Sequence, residues 1–148
     1  MQDYFEEVNI LIEELETNKK YRELKDNSET LRTYWEIGKN IVAAQGGDAR
    51  AKYGDGLINE WSIEFTKKYG SKYSSRNLRK MRQFYLTYKI WPTVSAKINW
   101  SHYVEVLNMQ ENERNYYLNQ VILNSLGIRD LRKLINSKAF ERLSYAVI

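Results

Sequence analysis

A run of cationic and amide side chains between residues 75 and 88 has the spacing of one helix face. At about 100° per residue, four of them gather on one side of a helix: Arg76, Arg79, Lys80 and Gln83. Arginine can donate two parallel hydrogen bonds to guanine, and glutamine can pair with adenine. The chemistry available to this face is therefore recognition of base edges in a nucleic acid.

Basic residues are concentrated in the middle of the chain. The segment 65–104 contains no Asp or Glu and nine basic residues: Lys67, Lys68, Lys72, Arg76, Arg79, Lys80, Arg82, Lys89 and Lys97. The remaining segments hold 14 basic and 19 acidic residues, a net charge of −5, which the overall charge of +4 conceals. A basic centre in an acidic frame is expected when one face meets a polyanion that the remaining surface repels.

The predicted nucleic-acid contacts extend beyond the four residues of the helix face. Lysines at either end of the helix are expected to bond phosphates, with affinity falling ~10³-fold between low and moderate salt. The predicted set is Lys67, Lys68, Lys72, Ser75, Arg76, Arg79, Lys80, Arg82, Gln83 and His102, with Lys89 as a further phosphate contact. A basic helix face is often merely solvated, but solvated helices normally mix both signs of charge, which this segment does not.

Apolar residues that recur at intervals of three and four predict an all-α fold, a compact multi-helix domain spanning residues 1–148. The first helix is predicted at residues 3–16, with an apolar stripe of Phe5, Val8, Ile12 and Leu15. The second is predicted to begin at Asp26, which forms a capping-box pattern with Glu29, and to end at Gly46 and Gly47. Gly38 falls on the apolar side of this helix, which predicts that another helix packs closely against it.

The next two helices are predicted to form a helix-turn-helix-like pair. The first covers residues 56–69 and the second residues 75–88, separated by a turn over residues 70–73. Ser74 is a suitable N-cap for the second helix, whose buried side is predicted to be Leu78, Met81, Tyr85 and Tyr88. In such pairs the second helix enters the major groove of DNA.

Three further helices are predicted after an irregular stretch that follows Pro92. The first is short and includes Trp100, Tyr103, Val104 and Leu107. The second is predicted to be capped by Asn108 with Glu111, and the third follows Gly127. His102 opens the short helix, where it either bonds a phosphate or a base or has a structural role.

Composition excludes several other classes of protein. There is no cysteine and a single histidine, which excludes a disulfide framework, a cysteine-ligated zinc and a histidine cluster, and no metal or other cofactor is predicted. No apolar run reaches the ~18 residues that a spanning helix requires, and the first residues are acidic where a signal peptide is positive. We therefore expect a cytoplasmic protein without a membrane partner.

Several separate motifs, in order, carry a resemblance to a known family. They are YWEIGKNIV at 34–42, YG at 53–54, SRNLRKMRQFY at 75–85 and WSHY at 100–103. Over residues 31–135 the chain resembles the N-terminal domain of the YhcG-type family of bacterial proteins. The resemblance implies a helical, DNA-binding domain that normally precedes a nuclease domain of the PD-(D/E)xK superfamily.

The sequence departs from that pattern because it ends at Ile148, about where the resemblance places the start of the nuclease domain. Such a nuclease needs an Asp and a Glu-x-Lys on adjoining strands to hold magnesium. Glu23-Leu24-Lys25 is the one Glu-x-Lys in the chain, and no strand is predicted around it. We therefore expect this chain not to be an enzyme itself, and to be either a truncated or standalone copy or the companion of a nuclease supplied in trans.

A protein-interaction module is the alternative function. In that interpretation the basic helix meets an acidic protein surface, or the acidic first helix of a second copy, and the product is a homo-oligomer. Nucleic-acid binding that weakens steeply with salt favours the first function. A stable dimer that ignores added DNA favours the second. Whether RNA competes with DNA stays open at this stage.

Overall fold

The computed structural model describes residues 2–47, 56–91, 95 and 97–146, and within them it contains α-helices and no strand. The helices are α1 (Gln2–Ala44), α2 (Gly56–Tyr69), α3 (Ser75–Thr87), α4 (Trp100–Val106), α5 (Glu111–Asn124), α6 (Ile128–Asn136) and α7 (Ala139–Ala146). The all-α prediction is confirmed. Among the described helices, none is both long and apolar enough to cross a bilayer. The Tyr53-Gly54 motif and Pro92 lie outside the described residues.

The first 44 residues form one helix where the sequence predicted two. α1 runs without a break through the predicted linker, so Asp26 and Glu29 lie in mid-helix and form no capping box. The physical reason is local, because residues 17–25 contain neither Gly nor Pro and include the good helix formers Leu, Glu, Lys and Arg. Glu23-Leu24-Lys25 consequently lies on a helix.

α1 has two halves that differ in burial. Every side chain described from residue 4 to residue 26 is exposed, including the predicted stripe of the first helix. Lys20, Glu23 and Leu24 line an open cavity together with residues of the body. At Asn27 the side chain makes a direct hydrogen bond, in which Nδ2 donates to the carbonyl oxygen of Ile98 at 3.1 Å. From there Leu31, Trp35, Ile41 and Val42 are buried. Only the second half of α1 therefore belongs to the core.

α3 lies where the two apolar clusters of the core meet. Its residues Leu78 and Met81 join Ile41 of α1 and Ile58 of α2 in the smaller cluster. Its Phe84 belongs to the larger cluster, which draws on α1 and α4–α7. The predicted close packing at Gly38 is confirmed, since this glycine lies directly against the backbone of Met81. α3 is thus held from two sides, which leaves one face outward.

Most of the predicted starts of the helices that follow α1 are confirmed. α2 and α3 begin at the predicted residues, and Gly127 precedes α6. The predicted cap of α5 is wrong: Gln110 stands at the N-cap instead of Asn108. On α3, Phe84 is buried although the sequence pattern did not select it, whereas Tyr85 and Tyr88 are half-buried. α7 was not singled out by the sequence pattern.

Candidate nucleic-acid interface

The start of α3 is fixed by side-chain hydrogen bonds. Ser74 Oγ accepts from the backbone N–H of Asn77 at 3.2 Å, as its predicted role of N-cap requires. The Asn77 side chain donates to the carbonyl oxygen of Lys72 at 2.6 Å and accepts from Trp100 Nε1 at 3.1 Å. α3 therefore begins at a defined point, tied both to the preceding turn and to α4.

The connection between α2 and α3 is short and built around one glycine. Gly70 ends α2 with a φ of 101°, a left-handed conformation that glycine adopts without steric cost. A single 3₁₀ turn over Ser71–Tyr73 follows, and Ser74 then caps α3. The pair α2 and α3 thus lies on either side of a five-residue connection, with three lysines near it.

The outward face of α3 carries its cations together. One open cavity of about 360 Å³ is lined by Arg76, Arg79, Lys80, Arg82, Gln83 and Leu86. We call Arg76, Arg79, Lys80 and Arg82 the basic ridge. Arg76 is exposed and the other three are half-buried. The structure therefore brings together Arg76, Arg79 and Lys80, which the helical spacing grouped, and adds Arg82 to them.

The basic ridge lies in a region without carboxylates in the sequence, since no Asp or Glu occurs between Phe65 and Val104. The ion pairs Arg32–Glu36 and Arg132–Glu105 join other parts of the chain. Arg82 Nη1 donates to Gln45 Oε1 at 3.3 Å, which links the ridge to the residue that follows α1. Four cations on one helix, in a segment of the sequence without carboxylates, favour an anionic ligand.

Gln83 has partners within the protein. Its Nε2 donates to the carbonyl oxygen of Leu107 at 3.2 Å and to Asn108 Oδ1 at 2.7 Å. Both donor hydrogens of the amide are thus engaged with the end of α4. These hydrogen bonds join α3 to the end of α4. The sequence had instead led to the expectation that Gln83 pairs with adenine.

The predicted flanking residues do not line the ridge cavity. Lys67 and Lys68 are exposed in the last turn of α2. Lys72 is exposed in the 3₁₀ turn, with its Nζ 5.5 Å from the ring centroid of Tyr73. It lines a different cavity, which also includes Asp26 and Glu29. Ser75 is the half-buried first residue of α3.

His102 is separated from the ridge by burial. It is 5% exposed. Its Nδ1 accepts from the backbone N–H of Asn99 at 3.1 Å, so the ring proton is on Nε2, which donates to the carbonyl oxygen of Leu126 at 2.9 Å. Both nitrogens are therefore occupied, and the residue ties α4 to the end of α5. Of the two roles that the sequence left open for His102, this geometry favours the structural one.

Two residues of this surface were missed by the sequence reasoning. Leu86 lines the ridge cavity and Asn108 holds Gln83. Leu86 lies three positions beyond Gln83, so the helical wheel contained the signal for it. Nothing local marks Asn108 as a partner of α3. In the described part of the chain, no cluster of His, Asp and Glu is arranged to hold a metal ion.

Comparison with known proteins agrees with the resemblance in the sequence motifs. The model of the DUF1016 N-terminal domain matches residues 11–142. Over 70 residues the chain is 45% identical to the Escherichia coli (strain K12) protein named "Putative nuclease YhcG". That match covers 45% of this chain and 19% of the Escherichia coli protein, so the chain spans well under two thirds of that relative. No solved structure matches. Because the family model covers most of the sequence, the chain belongs to the DUF1016 N-terminal domain family.

Proposed function

We propose that this chain is a DNA-binding module and that α3 is the helix that enters the major groove. The observation that carries the proposal is the basic ridge, four cations gathered on the outward face of one helix in a segment without carboxylates. In this proposal α2 and α3 act as a helix-turn-helix-like pair. The major groove is wide enough to admit an α-helix, and α3 is the described helix with this concentration of outward cations.

The exposed arginine and its neighbours supply the base and phosphate contacts. Arg76 is the most accessible member of the ridge, so we assign it a bidentate contact with guanine. Arg79 and Lys80 reach either base edges or phosphates on the same side. Gln83 and His102 are left out of the proposed interface because their polar atoms have partners inside the protein.

In this proposal the lysines around the connection between α2 and α3 contact the phosphates of the DNA backbone. Lys67 and Lys68 are exposed at the end of α2, and Lys72 follows in the turn. Such side chains fix the register of a protein on the duplex without reading sequence. Each phosphate contact contributes about 0.9 to the slope of log affinity against log salt. We therefore expect a steep loss of affinity with added salt.

The name of the Escherichia coli relative supports a proposal about where this chain acts. The Escherichia coli protein bears the name "Putative nuclease YhcG", and the matching family model describes an N-terminal domain. We propose that residues 1–148 fold as one unit in the cytoplasm and bring a nuclease to DNA. Cleavage belongs to a separate domain or to a partner chain, and this unit contributes no catalytic residue.

The test is a fluorescence titration with labelled duplex DNA at about 50 and 200 mM salt. We expect Arg76→Ala with Arg79→Ala to weaken binding at least tenfold. Lys67→Ala with Lys68→Ala should weaken binding to all sequences equally. This second variant should also reduce the salt slope by up to about 2, because each of the two lysines neutralises one phosphate.

The matched control is Arg129→Ala with Lys133→Ala, which removes the same charge from exposed positions of α6. It should leave affinity nearly unchanged. Undiminished binding by the α3 double variant would remove α3 as the recognition helix. Tighter binding of single-stranded RNA of the same sequence would assign the surface to RNA. Absence of any binding would favour the interaction module.

A further inference from the structure

The first half of α1 is a projecting helix with an unpartnered apolar side. We call residues 2–26 the arm. Eight large apolar side chains of the arm are more than half exposed, and six of these lie on one side of the helix: Tyr4 (76%), Phe5 (67%), Val8 (53%), Leu11 (62%), Ile12 (54%) and Leu15 (58%). At 3.6 residues per turn they form one stripe about 120° wide. An exposed apolar stripe of this kind marks an interaction surface, because most of the stability of helices in proteins comes from packing of the apolar face.

The stripe does not continue the face that α1 packs against the body. At 3.6 residues per turn it is centred about 140° around the helix from Leu31, Gly38 and Val42, which face the core. A helix lying along the stripe therefore does not collide with α3. The arm is available to a partner without any change in the fold of the body.

The distribution of charge along the arm indicates which partner fits the stripe. Residues 2–16 include six acidic and no basic residues, whereas residues 19–25 include four basic and one acidic. The arm is thus complementary to a second arm that runs in the opposite direction. A parallel pair would place acidic segments side by side, with like charges in contact along its length.

We propose that the arm pairs with the arm of a second copy of this chain as an antiparallel coiled coil. Phe5, Val8, Ile12 and Leu15 occupy alternating a and d positions, and the same 3, 4 spacing continues with Lys19 and Arg22.

One register satisfies both the apolar spacing and the charge. Ile12 packs on Leu15 of the second copy at the centre, with the symmetric contact beside it. On either side, Val8 lies against the stem of Lys19, and Phe5 against Arg22, whose guanidinium can cover the ring. In a parallel pair, Lys19 would face Lys19 and Arg22 would face Arg22. This pairing does not depend on the proposed DNA binding.

Sedimentation of the full chain over a range of concentrations tests the pairing. We expect a dimer, and Ile12→Asp should weaken it at least tenfold because a carboxylate replaces an apolar group at the centre of the pair. The matched control is Ile10→Asp, a residue that is 51% exposed on the opposite side of the arm. It should leave the dimer intact. All four tryptophans lie beyond the arm, so their fluorescence reports whether the body stays folded.

Cysteine pairing tests the direction, since the natural chain has no cysteine. Val8→Cys and Lys19→Cys chains, mixed and mildly oxidised, should give the mixed disulfide, identified by its mass. Val8→Cys alone should not crosslink, because antiparallel pairing separates its two copies by about 16 Å along the axis. Efficient crosslinking of Val8→Cys alone would overturn the antiparallel arrangement. A chain that stays monomeric at high concentration, or an equal effect of Ile10→Asp and Ile12→Asp, would overturn the pairing itself.

Discussion

Gly38 and Met81 bring the backbones of α1 and α3 into direct contact. A Cβ built on Gly38 would lie 2.1 Å from the carbonyl oxygen of Met81 and 3.0 Å from Tyr85 Cβ. No side chain other than hydrogen fits there. This contact sets how closely the helix with the basic ridge approaches the long helix, and so it determines how far the ridge stands out from the body.

Gly38→Ala should lower the free energy of unfolding by at least about 2 kcal/mol. Alanine gains about 1 kcal/mol of helix propensity, but the added methyl group meets backbone atoms that cannot move aside alone. Urea unfolding followed by tryptophan fluorescence measures the change. Gly56→Ala is the control, because a Cβ at Gly56 meets no atom within 4 Å. Equal free energies of unfolding for the two variants would show that α1 and α3 can move apart enough for a methyl group without a loss of stability.

Gln83→Ala should affect stability more than DNA affinity. The substitution leaves the carbonyl oxygen of Leu107 and the Asn108 side chain without their donor, a loss of about 1–2 kcal/mol. Urea unfolding and the duplex titration, performed on the same preparation, separate the two effects. If Gln83→Ala instead kept full stability and lost affinity for one base pair in particular, the side chain would be a reader of adenine after all.

His102 should make stability depend on pH. Burial lowers its pKa, and the hydrogen bond to the Leu126 carbonyl opposes this in part. The folded state thus favours the neutral ring, while the unfolded chain takes up a proton near pH 6.5. Stability is therefore complete above about pH 6.5 and falls as the pH drops towards the lowered folded pKa.

Urea unfolding at about pH 7.5 and 5.5, on either side of the ordinary histidine pKa, measures this dependence. The wild-type chain should lose more stability between these values than His102→Gln, which has no group that titrates at this position. The comparison cancels carboxylates common to both chains, such as Glu113, whose pKa is raised by burial and by Glu141. Identical losses in the two proteins would mean that protonation of His102 does not disturb the end of α5.

Features that depend on neighbours along the chain were predictable from the sequence. The limits of α2, the N-cap of α3 and the gathering of Arg76, Arg79 and Lys80 follow from residue spacing and from one hydroxyl beside a helix start. These are local properties, because the helical repeat fixes which side chains share a face before any tertiary contact forms. The position of Gly38 on the apolar side of its helix was predictable in the same way, and that position indicated the close approach of another helix.

The tertiary structure alone decided which of the predicted site residues have side chains available to a ligand. Gln83 meets Leu107, and His102 meets Leu126, each 24 residues away along the chain. It also decided that the apolar stripe in the first half of α1 is exposed, whereas a stripe of this kind normally indicates burial. Amphipathic spacing identifies a surface that needs a partner, but it does not say whether the partner belongs to the same chain.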